Sequence, residues 1–194
     1  MSSAPLTAPQ ERILSAAKQV FAARGYRGGS LNDVAALAGY TRAGLLHHYP
    51  SKEAMLLALL DLRDERIQAL EPAIDDTSVF TLIGRLPDLV RTNLEDRVLI
   101  QLAHALTAEA SESDHPAHDW VSARQGRLRR RLVASIGHSI SAGELPASTD
   151  ADSLAAVMLA VVEGLEAQWL IDDSVNPVRG VQTLRQLLEG IRLK

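Results

Sequence analysis

The residues of this chain best suited to surface chemistry lie between Ser30 and Lys52. Thr41, Arg42, Ala43, Gly44, His47 and His48 fall at the start and outer face of one short helical stretch, and Leu45 and Tyr49 are spaced to turn inward. A helix start offers unpaired backbone N–H groups to an anion such as phosphate, and small residues let a helix sit deep in a major groove. Arg42 is the one side chain in the stretch able to make a bidentate contact to guanine. Just ahead of it, Ser30 can cap a helix over Leu31–Ala38 whose inward face is Val34, Ala35 and Leu37, and Ala38-Gly39 makes the turn. Two short helices crossing at a small-residue turn have helix-turn-helix spacing.

Charge agrees with that placement. The 194-residue chain has a net charge of −4, but residues 1–52 carry six basic groups against two acidic ones, a balance of +4. The remainder is therefore at −8, so a basic head sits on an acidic body and only the head suits a polyanion. Hydrophobic residues make up 46% of the chain, enough for a buried core. The absence of cysteine excludes disulfides, thiolate metal sites and cysteine nucleophiles. No paired carboxylates, activated nucleophile, phosphate-cradling glycine loop or dinucleotide fingerprint stands at useful spacing, so the expectation is a protein that is not an enzyme and needs no cofactor. The first residues lack a secretory pattern, and the longest apolar run, Leu154–Val162, is far short of the roughly 20 residues a membrane span needs. A cytoplasmic protein with no membrane partner is expected.

Two other clusters carry residue types capable of chemistry. Asp114-His115-Pro116-Ala117-His118-Asp119 sets two histidines three apart, and His104 or His138 could add a metal ligand. The preferred reading is a helix start with Asp114 or His115 as cap and Pro116 in the first turn, so no metal is expected. Arg124, Arg127, Arg129, Arg130 and Arg131 point all round a helix and read as a solvated face paired with acidic neighbours.

The elements that must position these residues are all helical. Apolar residues recur at helical spacing almost throughout, so an all-α fold of about nine helices is predicted. Ile13, Ala17, Val20 and Phe21 mark the first helix, with Thr7 and Gln10 as a capping box and Gly25 as its stop. Thr41 caps a helix that Pro50 ends, and Ser51 caps a longer one bearing Met55, Leu56, Leu59, Leu60, Leu62 and Ile67. Glu71-Pro72 and Asp75-Asp76-Thr77 mark a break, so domains of 9–70 and 71–194 are expected. Five more helices follow over roughly 78–92, 96–111, 116–142, 150–172 and 177–192, with Pro87 expected to kink or end the first of them.

Residues 9–70, above all Gly39-Tyr-Thr-Arg-Ala-Gly-Leu-Leu-His-His-Tyr-Pro-Ser-Lys-Glu53, resemble the DNA-binding domain of the tetracycline-repressor (TetR) family. The resemblance implies a homodimeric, ligand-responsive transcriptional regulator, most simply a repressor. It would bind a near-palindromic operator on double-stranded DNA and be released by a small-molecule effector. On matching positions Arg42, Ala43 and Gly44 read bases, and Thr41, His48 and Lys52 hold phosphates. The first turn after Ser30, including Asn32, joins the phosphate set. Leu46 departs from the family's usual tyrosine, which contacts the DNA backbone. His47 or His48 is the candidate substitute, the alternative being surface histidines without a role. Tyr40 replaces a small aliphatic residue, a change expected in packing. The rival to this reading is an α-helical small-molecule-binding protein or enzyme whose head is only a packing unit. A third is a helical module that binds another protein.

In the body, the 150–172 helix carries two stripes. Leu154, Val157, Val161, Leu165 and Gln168 or Trp169 form one, and the small residues Ala156, Ala160, Gly164 and Ala167 form the other. A helix apolar on two faces must bury both. Together with Val181, Leu184, Leu188 and Ile191 of the last helix, the small stripe is assigned to a two-fold four-helix dimer interface, the alternative being an intrachain core. Polar Glu163, Glu166 and Gln168, with His104, Trp120 and Trp169, are candidates for an effector pocket.

Overall fold

The computed structural model describes residues 6–69, 77–115 and 117–193. The side chain of Ile67, the Glu71-Pro72 and Asp75-Asp76 break and Pro116 lie outside the described residues. Among those described there are nine α-helices and no strand: α1 Ala8–Gly28, α2 Leu31–Ala38, α3 Arg42–His48, α4 Lys52–Ala69, α5 Val79–Leu94, α6 Arg97–Glu109, α7 His118–Ser141, α8 Ala151–Ile171 and α9 Pro177–Gly190. The chain divides into two compact units, the first ending at Glu65 and the second beginning at Arg66.

In the first unit the helices start where side chains can satisfy their leading N–H groups. Gln10 Oε1 accepts from Thr7 N at 2.9 Å. Ser30 Oγ takes Asp33 N at 3.1 Å while Asp33 returns a bond to Ser30 N at 3.1 Å. Thr41 Oγ1 takes Gly44 N at 3.0 Å, and Ser51 Oγ takes Ala54 N at 2.9 Å. The first helix stops at Gly25, as expected. It breaks there, at φ 70° and ψ 166°, and resumes for one more turn to Gly28, because glycine alone tolerates that angle without ending the packing of the chain. Ile13, Ala17, Val20 and Phe21 are buried as their spacing requires, as are Met55, Leu56, Leu59 and Leu60. Leu37 is a correction: it is 53% exposed, and the buried face of α2 is Val34 with Ala35 alone.

In the second unit α5 packs on α9 and α7, and α8 on α6, α7 and α9. The core draws Val79, Phe80 and Ile83 from α5, Ile136 from α7, Ala155 and Met158 from α8, and Leu184 and Leu188 from α9. Pro87 does not end α5, which continues to Leu94 with Pro87 buried. α7 begins at His118, two residues later than expected, and His115 Nδ1 accepts the Ala117 N–H at 3.1 Å. α8 is long and apolar enough by composition to cross a membrane, yet only 17% of its most apolar window is buried in the chain. That is weak evidence for a membrane, and equally the mark of a helix with one uncovered side.

The expected dimer stripe is split by this packing. Ala156 and Ala160 are exposed, and Gly164 and Ala167 half-buried. Val181, Leu184 and Leu188, however, are buried in their own chain at 0%, 7% and 4% exposure, which removes them from any partner's reach. Of the four residues of the predicted stripe in the last helix and its end, Ile191, just beyond α9, is the exposed one, and Leu187 is an outward apolar residue that the stripe left out. Val157, assigned to the inner stripe of α8, is 54% exposed and Ile171 is 89% exposed, so the outer face of α8 carries large as well as small residues.

Candidate nucleic-acid interface

The site is built from the turn outward. Gly39 takes the left-handed conformation at φ 74°, its N–H bonds to Ala36 O at 3.3 Å, and Tyr40 N bonds to Ala35 O at 2.9 Å. These two bonds close α2 in a Schellman motif and fix the direction in which the chain leaves it. Thr41 then caps α3, and Leu45 (0% exposed) and Tyr49 (6%) pin the helix to the core. Thr41, Arg42, Ala43 and His47 are left exposed, and Gly44 and His48 are half-exposed. One face of a seven-residue helix is thus anchored and the other presents a cation flanked by small residues.

The remaining predicted positions fall around it. Ser30 and Asn32 are exposed at the start of α2, but the Ser30 hydroxyl is already engaged, donating to Asp33 Oδ2 at 2.6 Å. That bond, more than the Arg24 guanidinium 2.7 Å away, holds the Asp33 carboxyl below its ordinary value. Lys52 lies at the start of α4, where its ammonium donates to Arg27 O at 3.3 Å and stands 4.5 Å above the Tyr26 ring. It therefore ties α4 to the end of α1, and only its remaining donors could reach an anion. His48 meets the Tyr40 ring edge-on at 5.9 Å and His47 at 5.5 Å. Burial pushes the Tyr49 phenol up, in keeping with an anchor that touches no solvent ion.

Arg12 was not singled out by sequence spacing. It reaches from α1 to Tyr40 twenty-eight residues away, with Nη2 donating to the Tyr40 hydroxyl at 2.8 Å. The only signal available was its helical register on the polar side of α1, which does not reveal a partner so distant.

The effector candidates are not gathered into one place. His104 Nε2 lies 3.4 Å from Glu166 Oε2, and Glu166, 5% exposed, also accepts from Asn93. Trp169 lies under the Arg97 guanidinium at 4.6 Å, with Arg97 bonded to Leu170 O at 2.9 Å. Glu163 instead accepts from Gln125 at 2.7 Å and lines a groove of about 330 Å³ between α7 and α8, floored by Gly126, Ala156 and Ala160. Trp120 is half-buried near the start of α7. Sequence reasoning included Glu166 but missed Asn93. Of the two metal-candidate histidines, His118 pairs with Ala110 O at 3.0 Å, and among the described residues no three metal-binding side chains converge.

Comparison with known proteins agrees in both units. Residues 13–59 match the model for bacterial regulatory proteins of the tetR family, and residues 84–193 match that for the C-terminal part of BetI-type transcriptional repressors. The chain is 27% identical over 178 residues to the HTH-type transcriptional regulator TtgR of Pseudomonas putida, covering 88% of this chain and 85% of that one. Its fold matches GusR of Salmonella enterica with a TM-score of 0.73 at 25% identity, covering 96% and 97% of the two chains. It also matches FadR of Bacillus subtilis, solved with stearoyl-CoA, with a TM-score of 0.75 at 18% identity over 92% and 96%. An anchored helix-turn-helix on a nine-helix frame, matched along nearly its whole length, places this chain in the tetR family of DNA-binding, ligand-responsive transcriptional regulators.

Proposed function

We propose that the chain is a homodimeric repressor that binds a near-palindromic operator and leaves it when a small molecule enters the second unit. The observation that carries this reading is the outward face of α3, where Arg42 stands between a capped start and two small residues while Leu45 and Tyr49 hold the other side rigid. Arg42 reads a guanine edge, Ala43 and Gly44 allow close approach, and Thr41, His48 and Lys52, with the exposed start of α2, hold phosphates. The match to a repressor C-terminal model favours repression.

Dimerisation is supported by the uncovered side of α8. Ala156, Val157, Ala160 and Ile171 on that helix and Leu187 on α9 form the apolar surface offered to a second copy, revised from the predicted stripe by the burial of Val181, Leu184 and Leu188. Two copies related by a two-fold axis set their recognition helices about 34–36 Å apart, one turn of duplex. The effector belongs to the second unit by its family, and FadR of Bacillus subtilis with its bound stearoyl-CoA is a precedent for an acyl ligand in this fold. Effector and operator would then weaken each other reciprocally by about 1–3 kcal/mol.

Selection of duplexes from random sequence by the purified protein tests the whole reading. Paired half-sites one helical turn apart are expected. In the selected duplex, Arg42→Ala costs about 1–3 kcal/mol and relaxes preference at one or two base pairs. Equal loss on all sequences would reduce Arg42 to a phosphate contact, and no enrichment at all would end the proposal.

A further inference from the structure

Tyr40 leaves the Schellman turn on the same side of α3 as Gly44 and His48. A Cβ placed on Gly44 would lie 3.6 Å from Tyr40 Cδ1, and the His48 ring meets the tyrosine edge-on. The ring therefore runs along the flank of the reading face, away from the Leu45 and Tyr49 anchors. Arg12, exposed on α1, closes on it from the other side, with Cζ 5.3 Å from the ring centroid and Nη2 hydrogen-bonded to the hydroxyl. Because the guanidinium fills an acceptor site of that oxygen, the phenol proton remains to be donated outward. Among the described residues no carboxylate pairs with Arg12, whereas Arg24 is matched by Asp33 at 2.7 Å. Leu46, half-buried on the same helix, has no polar atom to offer.

The geometry points to Arg12 and Tyr40 as a joint clamp for a phosphodiester beside the base-reading face: the tyrosine donates its O–H to a phosphate oxygen and the arginine supplies the charge. This rests on the DNA-binding reading above and extends it to two residues from elements outside the recognition helix. A phosphate suits the pair because it accepts from both donors at once and charge-assisted bonds are the stronger kind. The clamp carries no base information, so it acts on all sequences alike.

The test uses the full chain and the duplex it selects, with binding followed against salt concentration. Tyr40→Phe keeps the ring and its packing and removes one donor, so affinity should fall about tenfold on selected and unrelated duplexes alike. Arg12→Gln should also lower the steepness of the salt dependence by about one unit, and Arg12→Lys should restore it. Tyr40→Phe binding within about twofold of the unaltered chain, with an unchanged salt slope in Arg12→Gln, overturns the clamp while leaving the DNA reading intact. Failure of the unaltered chain to bind any duplex overturns both. Should Tyr40→Phe unfold, the Arg12 pair of variants decides alone, since that side chain is exposed on α1.

Discussion

Both units cap their helices within three residues, but the side-chain bonds that cross between helices reach further along the chain in the second. In the first, the caps of α1, α2, α3 and α4 join residues three apart, and each helix carries its own start. The second unit caps α6, α8 and α9 in the same way, but its ties between helices span up to 76 residues, against 28 in the first. Val79 N donates to Ser139 Oγ at 3.0 Å, Ser139 donates to Glu144 at 2.9 Å, and Arg192 donates to Glu144 at 2.7 Å. Gln125–Glu163 and Asn93–Glu166 cross between helices in the same way. A body tied at long range moves as a whole, which suits a part that must respond to a ligand.

Four substitutions or conditions would break or sharpen that contrast. Leu45→Ala, at a site with no exposure, removes the anchor of α3 and should destabilise the first unit by about 2–5 kcal/mol, measured by denaturant unfolding. A loss shared equally by both units would contradict their separateness. Ser139→Ala leaves Val79 N without its acceptor and removes one of the three donors to Glu144, and should cost about 1–3 kcal/mol of second-unit stability. Thr41→Ala should cost about 1 kcal/mol, confined to the fraying of α3 and visible as faster amide exchange there.

The smallest effect is expected with acid. The Ser78 hydroxyl first, then that of Ser139, hold the Glu144 carboxyl below its ordinary value against the opposing effect of burial, with a lesser contribution from Arg192. A carboxyl lowered in the folded state stabilises fully above the ordinary carboxylate range, and that stability is lost as pH falls through the lowered value. Thermal melts in acid should therefore show the second unit weakening in a way that Glu144→Gln abolishes. An identical acid profile in that variant would remove Glu144 from the account.

The same difference of reach explains what the sequence could reveal. Ser30, Thr41 and Ser51 were legible as caps because each bond closes within three residues of its own helix. Gly39 was legible because its turn needs no distant partner. Leu37 was misread because an eight-residue helix has too few turns for periodicity to separate an inner position from a flanking one. Pro87 left open whether α5 ends or runs on, because a proline is normally a breaker, and only the surrounding core reveals that it is buried within a helix that continues. On α9 the apolar positions were recognised correctly, but nothing along the chain distinguishes Val181, Leu184 and Leu188, facing α5 and α8, from Leu187, facing outward. Asn93 meets Glu166 across 73 residues, and Arg12 meets Tyr40 across 28, distances at which spacing carries no information.

The turn at Gly39 has a consequence for how such a regulator acquires new targets. Its angle is set by backbone bonds to Ala35 and Ala36 and by the missing side chain of one residue, none of which touches Arg42, Ala43 or Gly44. On the proposed reading, the residues that meet the operator can therefore be exchanged while the turn that aims them stays as it is. A duplicated gene could drift to a different promoter by exchanging those outward side chains, with no need to invent a new fold.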